Sequence, residues 1–312
     1  MFSMTVKRPL QTIFFGTYDF AATILIGLLK SPLFSITHVV TQPDRPVGRK
    51  QIVEPSPVKV VALNAHIPVH QPETLKQFSV PGGPYDLGIT AQYGGLIPQS
   101  ILELPTYGMI NVHTSLLPKY RGASPIQAAL IHGDTETGVT IMRMDVGLDT
   151  GPILLQKRLH INPNDTYPIL DQKLAPLALE ALLEAIPPYI EGTLIPSPQH
   201  DAGATVCKKL SREDGRINWN ESATAIYNLY RGLYPWPGVW TMWNGKRMKL
   251  LSLEPSDASY TPGSLHIDDG ILVVGCGNGS LRIHELQIEG KNAQSAAAFI
   301  HGYPALLQSH FE

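Results

Sequence analysis

An amide, an imidazole and a carboxylate occur in the middle of the chain at positions where three loops can meet. Asn111 and His113 stand at the end of an apolar run, and Asp149 follows in a Gly-Leu-Asp-Thr-Gly turn. Residues i and i+2 of a strand point to the same face, so Asn111 and His113 are expected to face one pocket. An amide can donate to a developing oxyanion, and a histidine held by a carboxylate can move a proton. These residue types therefore predict attack of an amine on an acyl carbon.

Each of these residues also has a purely structural interpretation. Asn111 can cap a turn, a histidine beside apolar residues is often a structural hydrogen bonder, and an aspartate between two glycines is a common turn residue. The combination at the end of a strand, followed by a proline-containing loop, favours a site over these separate interpretations.

The first half of the chain alternates short apolar runs with helical patterns. Strands are predicted at 12–15, 36–40, 67–69, 87–90, 109–113 and 139–144, and helices near 20–28, 57–63, from 124 onward, and at 169–190. Ser56 and Pro57 are typical of an N-cap followed by the first helical position. Such alternation predicts an α/β domain with a largely parallel sheet, in which ligands bind at the carboxyl ends of the strands. Asn111, His113 and Asp149 all fall at such ends.

The second half has a different pattern. Residues 191–208 are rich in Pro, Gly, Ser and Asp and are predicted to form a linker between a domain at 1–190 and one at 209–312. Short strands are predicted at 239–243, 248–253, 263–267, 271–274 and 281–286, which favours a small barrel or sandwich. The glycine-rich run 275–279 lacks the spacing of a dinucleotide-binding loop, and its Asn278-Gly279 pair predicts a hairpin turn instead.

Composition excludes several classes of protein. The chain has 312 residues, 43% of them hydrophobic, and a formal net charge of −2, which argues against broad, non-specific binding to nucleic acid. No run is long and apolar enough to span a bilayer, and no metal-ligand spacing appears, so no metal is expected. The two cysteines, Cys207 and Cys276, are able to pair, but a reducing cytoplasm is the simpler interpretation. Nothing indicates an obligate partner chain, and a monomer is expected.

Further segments give the chain a family resemblance. The stretch 115–122, preceded by Asn111 and His113 and followed by Asp149, resembles the formyltransferases that use 10-formyltetrahydrofolate. The segments Thr-Gln-Pro-Asp-Arg-Pro at 41–46, Pro-Ser-Pro-Val-Lys at 55–59, Arg-Ile-Asn-Trp at 216–219 and Pro-Trp-Pro-Gly at 235–238 are similar to the methionyl-tRNA formyltransferases within that group. This family pairs a Rossmann-like catalytic domain with a C-terminal domain like an oligonucleotide-binding barrel.

The resemblance implies roles for individual residues. Asn111 and His113 are expected to stabilise the oxyanion, and Asp149 to orient His113 and help take the proton of the attacking amine. Folate is expected to bind the family's segment at Ser115, Leu116, Leu117 and Pro118. Initiator methionyl-tRNA is expected to contact the loop that carries Arg45, Arg49 and Lys50, a cluster that otherwise is simply an exposed loop.

Some interpretations of the sequence stay open. Lys119 and Arg121 either hold a phosphate or carboxylate or are solvated loop charges. A rival enzyme would formylate a nucleotide-linked amino sugar with the same catalytic residues. A rival from another class is a catalytically silent RNA-binding protein that keeps only the barrel. The intact set of Asn111, His113 and Asp149 favours an enzyme.

Overall fold

The fold was derived from a computed structural model, which describes residues 8–47, 52–303 and 309–312. The chain divides into two compact units. Unit 1 comprises Met1–Pro125, Glu136–His160 and Asp171–Lys208, and unit 2 comprises Ile126–Thr135, Ile161–Leu170 and Lys209–Glu312. Neither unit is one continuous stretch of chain, and the domain limits that the sequence predicts at residues 190 and 209 stay a prediction.

Unit 1 is built on a mostly parallel sheet. Its strands are β1 (Leu10–Gly16), β2 (Phe34–Val40), β3 (Arg45–Val47), β4 (Ile52–Glu54), β5 (Val69–His70), β6 (Leu87–Ala91), β7 (Met109–His113), β8 (Arg121–Gly122), β9 (Glu136–Arg143), β10 (Ile153–His160) and β11 (Val206–Cys207). Seven of them form one sheet in the order β10-β9-β7-β6-β1-β2-β5, and the pairs β3-β4 and β8-β11 are separate. The five strands from β7 to β5 are parallel, which confirms the predicted sheet type.

The other edge of this sheet is antiparallel. β9 pairs with β7, and β10 pairs with β9, in opposite directions. The sequence pattern did not predict β10, in which a partly buried apolar start is followed by exposed residues such as Arg158 in alternation with partly buried ones such as Lys157. Charges on an edge strand are typical because they discourage pairing with another chain.

Local signals account for the helices. They are α1 (Asp19–Lys30), α2 (Pro57–Asn64), α3 (Gln99–Leu102), α4 (Pro125–Ile131), α5 (Tyr167–Ile190), α6 (Ala223–Leu233) and α7 (Ala296–Gly302). The predicted start of α2 is confirmed, since Ser56 Oγ accepts from the backbone N–H of Lys59 at 3.1 Å and Pro57 is the first helical residue. Helix α1 buries Phe20, Ile24 and Leu28 at the predicted helical spacing. Burial of each such side chain contributes roughly 1.5–3 kcal/mol to stability.

Unit 2 contains an antiparallel sheet that is consistent with a small barrel. Its strands are β12 (Val239–Trp243), β13 (Lys246–Ser256), β14 (Leu265–Asp268), β15 (Ile271–Gly275), β16 (Ser280–Ile288) and β17 (Gln294–Ser295). They are ordered β12-β13-β16-β15-β14, with β17 on β16. The hairpin predicted at 275–279 is confirmed, because β15 and β16 pair in antiparallel register across it. Buried residues such as Trp243, Met248 and Phe299 form its core.

Two expectations about the environment of the chain can be compared with the described residues. Among these residues no helix combines the length and the apolar character needed to cross a membrane. Cys207 and Cys276 are both buried and both free thiols.

Candidate active site

Strand β7 positions the first two residues of the predicted trio. Asn111 and His113 lie two residues apart on this strand, at its carboxyl end, and share a face as expected from the strand period. Asn111 is half-buried, whereas His113 is 5% exposed. β7 lies between the parallel strand β6 and the antiparallel strand β9. Because β7 is hydrogen-bonded to a strand on each side, its backbone is held in place. The backbone in turn sets the positions of the Asn111 and His113 side chains.

Asp149 joins this pair from the turn that follows β9. Its Oδ1 accepts from Asn111 Nδ2 at 3.1 Å, and its Oδ2 accepts from the backbone N–H of Gly122 at 2.8 Å. The same Oδ2 lies 3.6 Å from His113 Nδ1. Asp149 has φ of 53°, a left-handed conformation that aspartate tolerates better than most residues. The structure thus brings together the three residues that the sequence singled out, although Asp149 is 38 positions from Asn111 along the chain.

Gly122 is required at its position by a close backbone approach. Its φ is 120°, and a Cβ there would lie 2.2 Å from the carbonyl oxygen of Cys207, the residue with which it pairs between β8 and β11. Only glycine fits such a position, and its N–H is one of the donors to Asp149. The motif Arg-Gly at 121–122 therefore supports the carboxylate through the main chain.

Both ring nitrogens of His113 face oxygen acceptors. Nε2 lies 2.9 Å from the carbonyl oxygen of Tyr120, and Nδ1 faces the Asp149 carboxylate. The Nε2 contact is within hydrogen-bond distance, and the Asp149 carboxylate lies close to the other ring nitrogen. These two contacts orient the imidazole ring toward Asp149.

The four residues predicted to bind folate lie between His113 and Tyr120. Ser115 and Leu117 are buried, and Leu116 and Pro118 are half-buried. The backbone of Leu117 is already used, since its N–H donates to Thr140 Oγ1 at 3.1 Å and its carbonyl accepts from Gln156 Nε2 at 2.8 Å. These hydrogen bonds hold the backbone of the segment in place. Within residues 115–118, Leu116 and Pro118 are more exposed than Ser115 and Leu117.

The structure gives Arg121 and Lys119 different environments. The Arg121 guanidinium is buried, and it donates to Gln199 Oε1 and to Asp201 Oδ1, so its charge is bound within the protein and not held by solvent. Lys119 is exposed, with Nζ 4.8 Å from the centre of the Tyr120 ring. Arg121 is therefore a structural residue.

The predicted tRNA-contacting cluster is only partly visible. Arg45 is exposed on β3, shortly after the carboxyl end of β2, whereas Arg49 and Lys50 lie outside the described residues. β2 and β7 are three strand spacings apart in the sheet, or about 14 Å. Next to Arg45, Asp44 contacts Lys59 and accepts from Gln71 Nε2 at 2.7 Å, and the hydrogen bond from Lys59 lowers the pKa of its carboxyl group.

Three residues at the site were not predicted from the sequence to act there: Tyr120, Gly122 and Gln199. Tyr120 supplies the carbonyl that faces His113, and Gly122 supplies an N–H to Asp149. Glycine in a motif that approaches another backbone is a signal that could have identified Gly122. Gln199 lies in the proline-rich segment 191–208, where composition carries no information about contacts.

A buried cysteine, Cys207, lies next to the site. Cys207 is buried, and its Sγ lies 3.4 Å from the carbonyl oxygen of Arg121. Burial raises the pKa of the Cys207 thiol, so the thiol form predominates at neutral pH. In the part of the chain that the structure describes, no cluster of three or more His, Cys, Asp or Glu side chains is arranged to hold a metal ion.

The chain matches family models along most of its length. The model described as formyl transferase matches residues 10–186, and the model for the formyl transferase C-terminal domain matches residues 209–304. The methionyl-tRNA formyltransferase of Geobacter metallireducens is 43% identical over 300 residues, which cover 94% of this chain and 96% of that protein. The methionyl-tRNA formyltransferase of Caldicellulosiruptor saccharolyticus is 42% identical and covers 94% and 97%.

Solved structures share the fold. The N-formyltransferase from Helicobacter canadensis, solved with folinic acid and dTDP-3-aminofucose, superposes with a TM-score of 0.67 at 20% identity and covers 88% of this chain and 98% of its own. The sugar 3N-formyl transferase WlaRD gives a TM-score of 0.66 at 18% identity, with 91% and 99% covered. At this identity the likeness shows the fold alone.

The two sequence matches decide between these groups, because they run through both units at more than 40% identity. The chain therefore belongs to the methionyl-tRNA formyltransferase family.

Proposed function

We propose that this protein transfers the formyl group of 10-formyltetrahydrofolate to the α-amino group of methionine esterified to initiator tRNA. The observation that carries the proposal is the contact of Asn111, His113 and Asp149 at the carboxyl end of β7. The relatives at 41–43% identity that bear this activity in their names support the choice of substrates. The folate is a substrate here, because it is consumed in each turnover.

The chemistry needs a donor for the oxyanion and an acceptor for a proton. The lone pair of the amine forms a bond to the formyl carbon, and the C=O electron pair moves onto oxygen. When that oxyanion collapses, the bond from carbon to N10 breaks, the amine nitrogen loses a proton, and N10 gains one. Free α-amino groups titrate at about pH 7.7–8.0, so a modest base suffices near neutral pH.

Asn111 is suited to hold the oxyanion. Its amide has two N–H bonds, and the Asp149 carboxylate accepts from that nitrogen. The second N–H is then available to the developing negative charge. Because Asp149 fixes the direction of the amide in advance, little reorganisation is required during the reaction, which is the condition under which such donors stabilise a transition state most.

His113 and Asp149 supply charge and a proton acceptor. His113, oriented by Tyr120 and Asp149, acts beside the oxyanion as a hydrogen-bond donor or as a proton carrier, while Asp149 is the carboxylate able to take the proton from the amine directly or through water. Only 13% of the Asp149 side chain is exposed, so these interactions are weakly screened by solvent.

The remaining predicted contacts complete the proposal. Residues 115–118 follow His113 in the chain, and their partly exposed side chains, Leu116 and Pro118, contact the folate. Arg45, Arg49 and Lys50 contact the phosphates of the tRNA, in keeping with the charge of these residues and the exposure of Arg45. We expect Arg45→Ala to raise KM for charged tRNA without lowering kcat.

A direct assay tests the proposal. Purified protein is incubated with 10-formyltetrahydrofolate and, separately, methionyl-tRNA, a nucleotide-linked amino sugar and glycinamide ribonucleotide, with Asp149→Asn as a control that folds but lacks the carboxylate. Formylated methionyl-tRNA as the sole product supports the proposal. Product only from the amino sugar rejects it in favour of the rival enzyme, and tRNA binding without any turnover rejects it in favour of the silent binder.

A further inference from the structure

The segment from Gln199 to Cys207 is attached to the residues that support the candidate site. Thr205 accepts from the backbone N–H of Tyr120 through Oγ1, at 2.8 Å, and from the N–H of Arg121 through its carbonyl, also at 2.8 Å. Cys207 pairs with Gly122 in the short ladder of β8 and β11. Tyr120 supplies the carbonyl that faces His113, and Gly122 supplies the N–H group that donates to Asp149. The segment is therefore bonded to the same stretch of backbone that supports the site. The segment lies outside both ranges matched by the family models.

The side chain of Gln199 is held by a full set of hydrogen bonds. Its Oε1 accepts from Nε and Nη2 of Arg121, at 3.0 and 2.9 Å. Its Nε2 donates to the carbonyl oxygens of Asp149 and Gly151, both at 2.8 Å. Rotation of the amide by 180° would place an NH2 group against the guanidinium and an oxygen against two carbonyls, so its orientation is fixed.

Asp149 depends on such a contact because of its backbone. A residue with φ of 53° occupies a small and unfavourable region, which persists where the surroundings determine it. The side chain of Asp149 is fixed by Asn111 and Gly122, and its carbonyl is fixed by Gln199. Loss of the last contact frees the turn to relax and to move the carboxylate away from His113.

We infer that Gln199 is a positioning residue, which holds the Asp149 turn so that the carboxylate faces His113 and the attacking amine. The inference rests on the proposed function, and it assigns Gln199 a role in turnover and not in substrate binding. Misplacement of a reacting group by about 1 Å can lower the rate on the order of a hundredfold. Gln199→Leu, which removes all four hydrogen bonds, should therefore lower kcat by about 10- to 100-fold and change both KM values by less than about threefold.

A double-mutant cycle distinguishes this role from a general structural one. The kcat for formyl transfer is measured for the wild type, Gln199→Leu, Asp149→Asn and the double variant, with Gln172→Leu on the exposed face of α5 as the matched control. If Gln199 acts through Asp149, the double variant has the kcat of Asp149→Asn alone, and Gln172→Leu has that of the wild type. Effects that multiply, or a normal kcat for Gln199→Leu, overturn the inference.

A second variant keeps the test decisive if Gln199→Leu does not fold. Gln199→Glu retains an oxygen for Arg121 but loses the N–H donors to Asp149 and Gly151. It should keep the thermal midpoint within a few degrees of the wild type and still lose kcat, whereas an unchanged kcat contradicts the inference. Failure of the proposed function is a separate result, since in that case the wild type itself forms no formylated methionyl-tRNA.

Discussion

Two histidine-containing regions of unit 1 differ in the acceptor groups that lie next to the ring nitrogens. At the candidate site, His113 Nε2 lies 2.9 Å from the Tyr120 carbonyl and Nδ1 lies 3.6 Å from the Asp149 carboxylate. At the opposite side of the same sheet, His38 on β2 and His70 on β5 stack with their ring centres 5.4 Å apart. His70 Nε2 is buried and has no hydrogen-bond partner among the described residues.

The stacked pair favours the neutral form of both rings. Burial lowers the pKa of His38, and burial together with the neighbouring His38 lowers the pKa of His70. His38 Nδ1 is 3.1 Å from the hydroxyl of Tyr85, a weak substitute for a carboxylate. The stacked pair is arranged to stay neutral, whereas His113 has an acceptor at each nitrogen. The two regions thus differ in the acceptors around the rings.

The largest expected effect is loss of formyl transfer when His113 or Asp149 at the candidate site is replaced. His113→Ala and Asp149→Asn should each lower kcat by at least about 100-fold while the thermal midpoint stays near that of the wild type, because each removes a group that stabilises the oxyanion or takes up the proton. His38→Phe, which alters the stacked pair instead, should leave kcat within about twofold. Steady-state formylation of methionyl-tRNA measures all three. Similar losses in His38→Phe and His113→Ala would remove the distinction between the regions.

Asn111 tests the oxyanion donor separately. Asn111→Ala removes one N–H donor and should lower kcat on the order of 100- to 1,000-fold with little change in KM for the tRNA. Asn111→Asp keeps the size of the side chain but places a carboxylate next to Asp149, and it should be at least as inactive. A rise in KM with normal kcat would instead assign Asn111 to substrate binding.

Sequence patterns predicted those parts of unit 1 that depend on local signals. The strand period placed Asn111 and His113 on one face of β7, and the serine–proline pair fixed the first turn of α2. Both signals lie within a few residues of the feature that they predict. The longer strands of unit 2, β12 to β16, were predicted equally well, because each apolar run there is bounded by turn residues, whereas the two-residue strand β17 was not predicted.

Contacts between distant segments were not predicted, and they complete the candidate site. Gln199 is 50 positions from Asp149 in sequence, and no periodicity connects a proline-rich segment to a particular turn. Arg121 was open to interpretation as a solvated charge because sequence does not reveal a guanidinium enclosed by Gln199 and Asp201. The edge strand β10 was not predicted because polar and charged residues interrupt the apolar run that would indicate a strand.

A partly buried carboxylate in unit 1 extends the comparison to acids. Asp171 on α5 accepts from Gln92 Nε2 at 2.9 Å, and burial, opposed by this hydrogen bond, raises its pKa to about 6. Its folded-state pKa is above the unfolded value, so its contribution to stability is present below about pH 4 and is lost as the pH rises through about 6.

Asp171→Asn keeps an acceptor for Gln92 and removes the charge. The variant should therefore be more stable than the wild type at pH 7.5 by about 1 kcal/mol, a value reduced from the full shift because the side chain is partly exposed. Denaturant unfolding at pH 7.5 and pH 4 measures the difference, which should shrink at the lower pH. A difference that is equal at both values would show that charge burial is not its cause.

The smallest expected effect tests the stacked pair directly. Because the folded-state pKa values of His38 and His70 lie below the usual 6.5, the stability of the neutral pair is present above pH 6.5 and is lost as the pH falls through the folded-state values. His70→Phe keeps a ring between His38 and Phe78 and cannot be protonated. The fall in thermal midpoint from pH 7.5 to pH 5.5 should be smaller in this variant, by roughly 2 °C.

The size of that difference separates two explanations of the pair. Burial alone lowers the pKa of His38, so His38 should keep its acid sensitivity in the His70→Phe variant, and only the double variant with His38→Phe should lose the contribution of both rings. His160→Phe, at an exposed histidine on β10, should respond to pH like the wild type. If His70→Phe alone abolished the whole effect, repulsion between the two rings, and not burial, would be the origin of the acid sensitivity.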